Sequence, residues 1–147
     1  MIDTETAVFF YGLFMDTNLL ASRGIEPSRA EIAYLDGYGL RIGRRATLVR
    51  QNSDRAYGVL MYIGHRQVLD LYAQESVADY LAEPVTVTLA SGGSEPAICY
   101  NLPASKIEGA NTDYAEALLR LAIRLDFPQH YLETIRMQQA AGVQSAK

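Results

Sequence analysis

The sequence predicts one domain in which strands and helices mix, and three observations carry that reading. The chain has 147 residues, a usual length for a single domain and enough to bury roughly two-thirds of its unfolded surface without a metal or a disulfide. Short β-branched and aromatic runs, bounded by glycine, proline or polar turns, recur through the first two-thirds of the chain. Toward the C-terminus, apolar residues instead repeat with helical spacing.

Val8-Phe9-Phe10 opens the chain as a buried strand, and Tyr11-Gly12 breaks it. Gly12 has no Cβ, so the chain can turn sharply there or let a ligand approach the main chain. Amides left without strand partners at such a turn belong either to an ordinary turn or to an anion-binding concavity. Asp16 to Arg23 reads as a short helix with Leu19 and Leu20 facing inward, closed by Pro27. Ala30 to Leu35 reads as a strand, Asp36-Gly37 as a hairpin turn and Gly39 to Ile42 as the returning partner. Arg41, Arg44, Arg45 and Arg50 follow closely. In an acidic protein they read as solvated strand faces, with an anion subsite as the alternative. Ala46 to Val49 and Ala56 to Ile63, around the polar Gln51 to Asp54, read as a second hairpin.

A helix is expected to start near Arg66 or Gln67. Val68, Leu71, Tyr72 and Glu75 fall on one of its faces. Glu75 thus has two readings. If the helix reaches it, its carboxyl points toward the core, where burial raises its pKa. If the helix ends earlier, the side chain reaches water. Val85 to Leu89 and Ala97 to Tyr100 read as two more strands, joined through Ser91 to Ser94, with Pro84 and Pro96 at their starts. Asp113 to Leu125 reads as a helix capped by Thr112, with Tyr114, Ala117, Leu118, Leu121, Ala122 and Leu125 on its apolar face. Pro128 suits the first turn of a last helix carrying Tyr131 and Ile135. The small, polar tail from Ala140 to Lys147 is expected to fray. The chain therefore reads as one domain over 1–147, with an ordered core from about residue 6 to about residue 140.

Composition narrows the function. The net charge is -4 and the pI about 5.1, which disfavours general binding to nucleic acid or to anionic membrane. No apolar stretch has the length of a membrane span, and the N-terminus, with Asp3 and Glu5, lacks the pattern of a signal peptide. A reducing, cytoplasmic setting is the expectation. Cys99 is the single cysteine; it sits in an apolar run and reads as a buried core residue. His65 and His130 with one cysteine have no zinc-site spacing. The sequence has no P-loop, no G-x-G-x-x-G and no G-x-S-x-G nucleophile elbow.

Several motifs, in one order, resemble the gamma-glutamylcyclotransferase-like (AIG2-like) family. Phe10-Tyr11-Gly12-Leu13-Phe14-Met15 is similar to the family's Tyr-Gly-x-Leu substrate loop. Ala33 to Leu40 resembles its second strand with a Gly-Tyr/Phe-x-Leu turn, and Ala56 to Tyr62 its Val-x-Gly-x-Leu-Tyr strand. Leu69 to Glu75 resembles the Leu-Asp-x-x-Glu segment, apart from one or two extra positions. Tyr80, Val85-Thr86-Val87, Ala97 to Tyr100 and Asp126 to Tyr131 continue the likeness, which spans roughly Val8 to Arg136. Two positions depart from it: Leu13-Phe14 stands where many relatives carry a small polar residue, and Ser76 where glycine is usual.

The resemblance implies an α+β fold, a small closed or nearly closed mixed β-barrel with flanking helices. It also implies a reaction: a γ-glutamyl α-amine attacks its own γ-carbonyl, releasing 5-oxoproline and an amine or amino acid. Glu75 would be the general acid/base. Tyr11, Gly12, Leu13, Phe14 and Tyr80 would bind the substrate, with loop amides on its α-carboxylate. No metal or organic cofactor is implied, and the partner implied is a small γ-glutamyl molecule, with no nucleic acid and no membrane. Leu13-Phe14 would give the pocket an apolar edge. The alternative is a non-catalytic module that binds a γ-glutamyl or other small carboxylate ligand.

Overall fold

The computed structural model describes residues 4–74 and 77–145. Its strands are β1 (Glu5–Phe10), β2 (Arg29–Ile42), β3 (Ala46–Gly64), β4 (Leu81–Leu89) and β5 (Ser94–Asn101). Its helices are α1 (Thr17–Ser22), α2 (His65–Tyr72), α3 (Thr112–Arg124) and α4 (Gln129–Ser145), with short 3-10 turns at Leu13–Met15 and Ala104–Lys106. The strands close into a barrel in the order β1-β3-β2-β4-β5. Neighbours run antiparallel except at the seam, where β1 meets β5 in parallel through Val8 and Ile98. The fold is therefore α+β, a closed mixed barrel with helices around it, as the family resemblance implied.

Both faces of β1 are covered, since Val8, Phe9 and Phe10 are all buried. That is why the run is apolar without alternation. Gly58 of β3 lets it in closely: a Cβ there would collide with the Phe10 carbonyl and the Phe9 ring.

The two hairpins expected around residues 30–63 are one. β2 and β3 pair along their whole lengths, from Arg29 opposite Tyr62 to Ile42 opposite Ala46. Midway the register slips between Asp36 opposite Arg55 and Tyr38 opposite Arg50, so Gln51 to Asp54 oppose Gly37 alone. Gly37 takes φ +85 there. Asp36-Gly37 is thus a bulge rather than a turn; bulges and turns draw on the same residues because both need a left-handed backbone. The actual turn is Gly43 to Arg45, held by Gly43 N–H on the Arg45 carbonyl (3.1 Å) and Arg44 N–H on the Glu108 carbonyl (2.9 Å).

β4 and β5 begin earlier than expected, so Pro84 and Pro96 lie inside them, opposite Ile98 and Thr86. The pairing of β4 with β2 runs through Thr88 and Leu89, and that of β5 with β1 through Ile98. Both prolines therefore sit where one edge of the strand needs no donor.

α3 is capped by Asn111, one residue before the expected Thr112; its side chain accepts from Tyr114 N–H at 2.9 Å. The buried face is Ala115, Leu118, Leu121 and Ala122, and Ala117 is exposed. The Pro128 carbonyl receives the Tyr131 and Leu132 amides, and Tyr131 and Ile135 are buried. The backbone of the tail stays helical to Ser145 rather than fraying from Ala140, which its alanine and glutamine content permits. Cys99 is fully buried, and burial pushes its thiol up to about 12. No described helix is long and apolar enough to cross a membrane. Among the described residues no group of His, Cys, Asp and Glu could hold a metal ion.

Candidate active site

The end of β1, the turn after it and three distant segments line a cavity of about 290 Å³. Tyr11, Gly12, Leu13, Phe14 and Tyr80, the residues singled out for binding, all line it. So do Tyr72 of α2, Val77, and Tyr114 of α3.

The turn is built on Gly12, though not by an unusual backbone angle: Gly12 has φ -112. Its missing Cβ makes room for the Tyr114 hydroxyl, with which any side chain would collide. That hydroxyl accepts a hydrogen bond from Leu13 N–H at 3.3 Å. Gly12 is small because a tyrosine comes close, a reason that neither the sharp turn nor the ligand approach read from the sequence includes. Met15 N–H then donates to the Gly12 carbonyl and Asp16 N–H to the Leu13 carbonyl, each at 3.0 Å. The amides of Gly12 and Phe14 take no part in these bonds. α1 starts directly afterwards, with the Asp16 side chain accepting from Asn18 N–H at 2.9 Å.

The wall is aromatic. Phe14 meets the Phe10 ring edge-on at 5.8 Å and the Tyr72 ring at 6.0 Å. Tyr72 stacks on Tyr100 at 3.9 Å and leans on Tyr80 at 6.1 Å. The hydroxyls of Tyr11 and Tyr80 are turned into the scaffold. Tyr11 donates to the Tyr100 carbonyl at 2.6 Å, and Tyr80 to the Ala46 carbonyl. Burial raises the phenols of Tyr11, Tyr72 and Tyr80, and brings Tyr114 up to about 12. None of them exchanges a proton near neutral pH.

A guanidinium stands at each end of this wall. Arg45, delivered by the β2–β3 turn, lies 5.8 Å over the Tyr80 ring and pairs with Asp79 at 3.2 Å. Arg23, just past α1, lies 5.7 Å over the Phe14 ring and donates to the Gln74 side-chain oxygen at 2.5 Å. Both line the cavity. Arg23 carries no local signal, and Arg45 belongs to the run that reads first as solvated strand faces, with an anion subsite as the alternative.

Glu75 lies outside the described residues. α2 ends at Tyr72, and Ala73 N–H returns to the Asp70 carbonyl. Tyr72 and Val77, on either side of Glu75 in the chain, both line the cavity. Among the described lining residues none is a carboxylate or an imidazole.

Comparison with known proteins places this geometry in context. A family model described as gamma-glutamyl cyclotransferase, AIG2-like, matches residues 8–117. A solved structure of an uncharacterized protein from Homo sapiens is 20% identical, covering 91% of this chain and 88% of that one, with a TM-score of 0.74. One titled gamma-glutamyl cyclotransferase is 18% identical, covering 90% and 86%, with a TM-score of 0.69. A yeast gamma-glutamyl cyclotransferase specific to glutathione is 13% identical, covering 95% and 97%, with a TM-score of 0.67. At these identities the likeness to solved structures is one of fold. No curated protein sequence matches the chain.

Proposed function

Because the chain belongs to the gamma-glutamyl cyclotransferase, AIG2-like family, we propose that it cyclises γ-glutamyl compounds to 5-oxoproline in the cavity beside Gly12. The α-amine of the γ-glutamyl group attacks its own γ-carbonyl carbon. A new C–N bond closes the five-membered ring, the original amide C–N bond breaks, and an amine or amino acid departs. The reaction is intramolecular, so holding the chain folded back on itself supplies much of the acceleration. A cavity with an aromatic wall suits that task.

The attacking nitrogen must lose a proton and the departing nitrogen must gain one. Glu75 is assigned both transfers. The tyrosines of the cavity hold their protons too tightly, and a guanidinium has donors but no lone pair to accept a proton. A carboxyl entering from the segment between Tyr72 and Val77 would reach a cavity whose described lining holds no carboxylate or imidazole. The amides of Gly12 and Phe14, unused by their own turn, would receive the substrate's α-carboxylate.

The observation that carries this reading is convergence. Tyr11 to Phe14, Tyr72, Val77 and Tyr80 are distant in sequence, yet all line one small cavity. The test is 5-oxoproline release from a panel of γ-glutamyl compounds by wild type and by Glu75→Gln. The substitution keeps size and hydrogen bonding but removes the base. Turnover should fall by roughly a hundredfold to ten-thousandfold, the usual worth of general acid–base catalysis. Equal turnover by the two proteins would overturn the assignment. Release by neither, with tight binding by both, would identify a binding module.

A further inference from the structure

The two guanidiniums at the cavity differ in what they face. Arg45 is offset by the Asp79 carboxylate at 3.2 Å. Arg23 faces a neutral partner, the Gln74 amide at 2.5 Å. Its ring contact is with Phe14, itself in edge contact with Phe10 and Tyr72, and Leu19 lines the cavity beside it. One side of the cavity thus combines an apolar surface with a positive charge that no described carboxylate neutralises.

Resting on the cyclisation reading, we propose that Arg23 determines substrate specificity by selecting departing amines that carry an anionic group next to a large apolar body. With the γ-glutamyl half held at the Gly12 turn, the departing half extends along Phe14 and Leu19. Its apolar body is desolvated there, and its carboxylate displaces the Gln74 amide from the guanidinium. The exchange swaps a neutral acceptor for a charged one, which makes the stronger hydrogen bond. A charged donor on an aromatic face keeps its attraction to the ring in the process. The departing group chosen is a bulky apolar amino acid or an aromatic amine with an acid substituent. A small or uncharged amine is disfavoured.

The experiment compares kcat/KM for γ-glutamyl-phenylalanine, γ-glutamyl-phenethylamine and γ-glutamyl-alanine. The first two differ only in the carboxylate, and the first and third only in the ring. Wild type should prefer γ-glutamyl-phenylalanine over γ-glutamyl-phenethylamine by about threefold to fivefold, as expected of one ion pair at an exposed guanidinium. The preference should shrink as salt is raised. Arg23→Gln should bring the ratio near unity, and Arg23→Lys should restore part of it. γ-Glutamyl-alanine should lag behind γ-glutamyl-phenylalanine with either protein. A wild-type ratio near unity, or a ratio unchanged in Arg23→Gln, overturns the role of Arg23 and leaves cyclisation standing. If no compound yields 5-oxoproline, the cyclisation reading fails. Calorimetric binding of the same pair then decides: tighter, Arg23-dependent binding of the acid supports the selection, and equal binding overturns it.

Discussion

Two concavities of the molecule differ in the chemistry of their lining. The cavity beside Gly12 has a volume of about 290 Å³ and an aromatic wall. A larger cleft of about 500 Å³ opens at the β2–β3 bulge, between Asp36, Asn52, Ser53, Asp54 and Arg55 and the start of α4 at His130 and Thr134. The larger one is polar, and its arginine is already engaged: Arg55 pairs with Asp36 at 2.5 Å and lies 3.9 Å over the Tyr34 ring. Ligand sites join an apolar lining to a few convergent polar groups. The smaller cavity meets that description with Tyr72, Phe14 and Leu13 around the Gly12 turn. Volume ranks the two the other way, so chemistry of the lining is the better guide.

The largest expected difference between them is in turnover. Against the hundredfold to ten-thousandfold loss expected of Glu75→Gln, Arg55→Gln should leave 5-oxoproline release within about twofold, as for a surface change away from the reacting atoms. A comparable loss from Arg55→Gln would break the contrast.

Two glycines sharpen it further. A Cβ on Gly12 collides with the Tyr114 hydroxyl, while Gly37 has open space around it but sits at φ +85. Gly12→Ala should cost about 1–3 kcal/mol through overpacking, and Gly37→Ala about 1–2 kcal/mol through backbone conformation. Tyr114→Phe removes the clashing oxygen. It should recover much of the Gly12→Ala loss and none of the Gly37→Ala loss in urea unfolding. Rescue of both, or of neither, would refute the explanation of Gly12.

How far the sequence carries the fold is visible in the same regions. The end of β1, the Gly12 turn and the helices of the C-terminal third can be read from local patterns, because periodicity and caps are local. The long β2–β3 hairpin cannot. Its bulge uses Asp36-Gly37 and the polar Gln51 to Asp54, the residues of ordinary turns, while the true turn at Gly43 to Arg45 is shaped by a distant carbonyl: a Cβ on Gly43 would lie 2.5 Å from the Glu108 oxygen. The site divides likewise. Tyr11 to Phe14 and Tyr80 follow from the family's motifs. Tyr72 and Tyr114 look like core residues on helical faces, and the positions of Arg23 and Arg45 depend on where α1 and a misread turn come to rest.

A further effect concerns pH. Burial holds the Tyr114 phenol up to about 12, against an ordinary 10.0. The folded chain therefore keeps a proton that the unfolded chain releases above pH 10. The stability this contributes is complete below pH 10 and is lost as pH rises toward 12. Urea midpoints should fall across that window. The fall should be shallower in Tyr114→Phe, though not absent, since Tyr11, Tyr72 and Tyr80 are shifted in the same direction. An unchanged slope would place the Tyr114 hydroxyl in water.

The most direct measurement is where the product binds. Titrating 5-oxoproline into ¹⁵N-labelled protein reads both concavities at once through their backbone amides. The account predicts shifts concentrated at Gly12 and Phe14, with smaller ones at Tyr72 and Tyr80. Shifts at Asp36, Ser53, Asp54 and His130, with Gly12 and Phe14 unmoved, would contradict it.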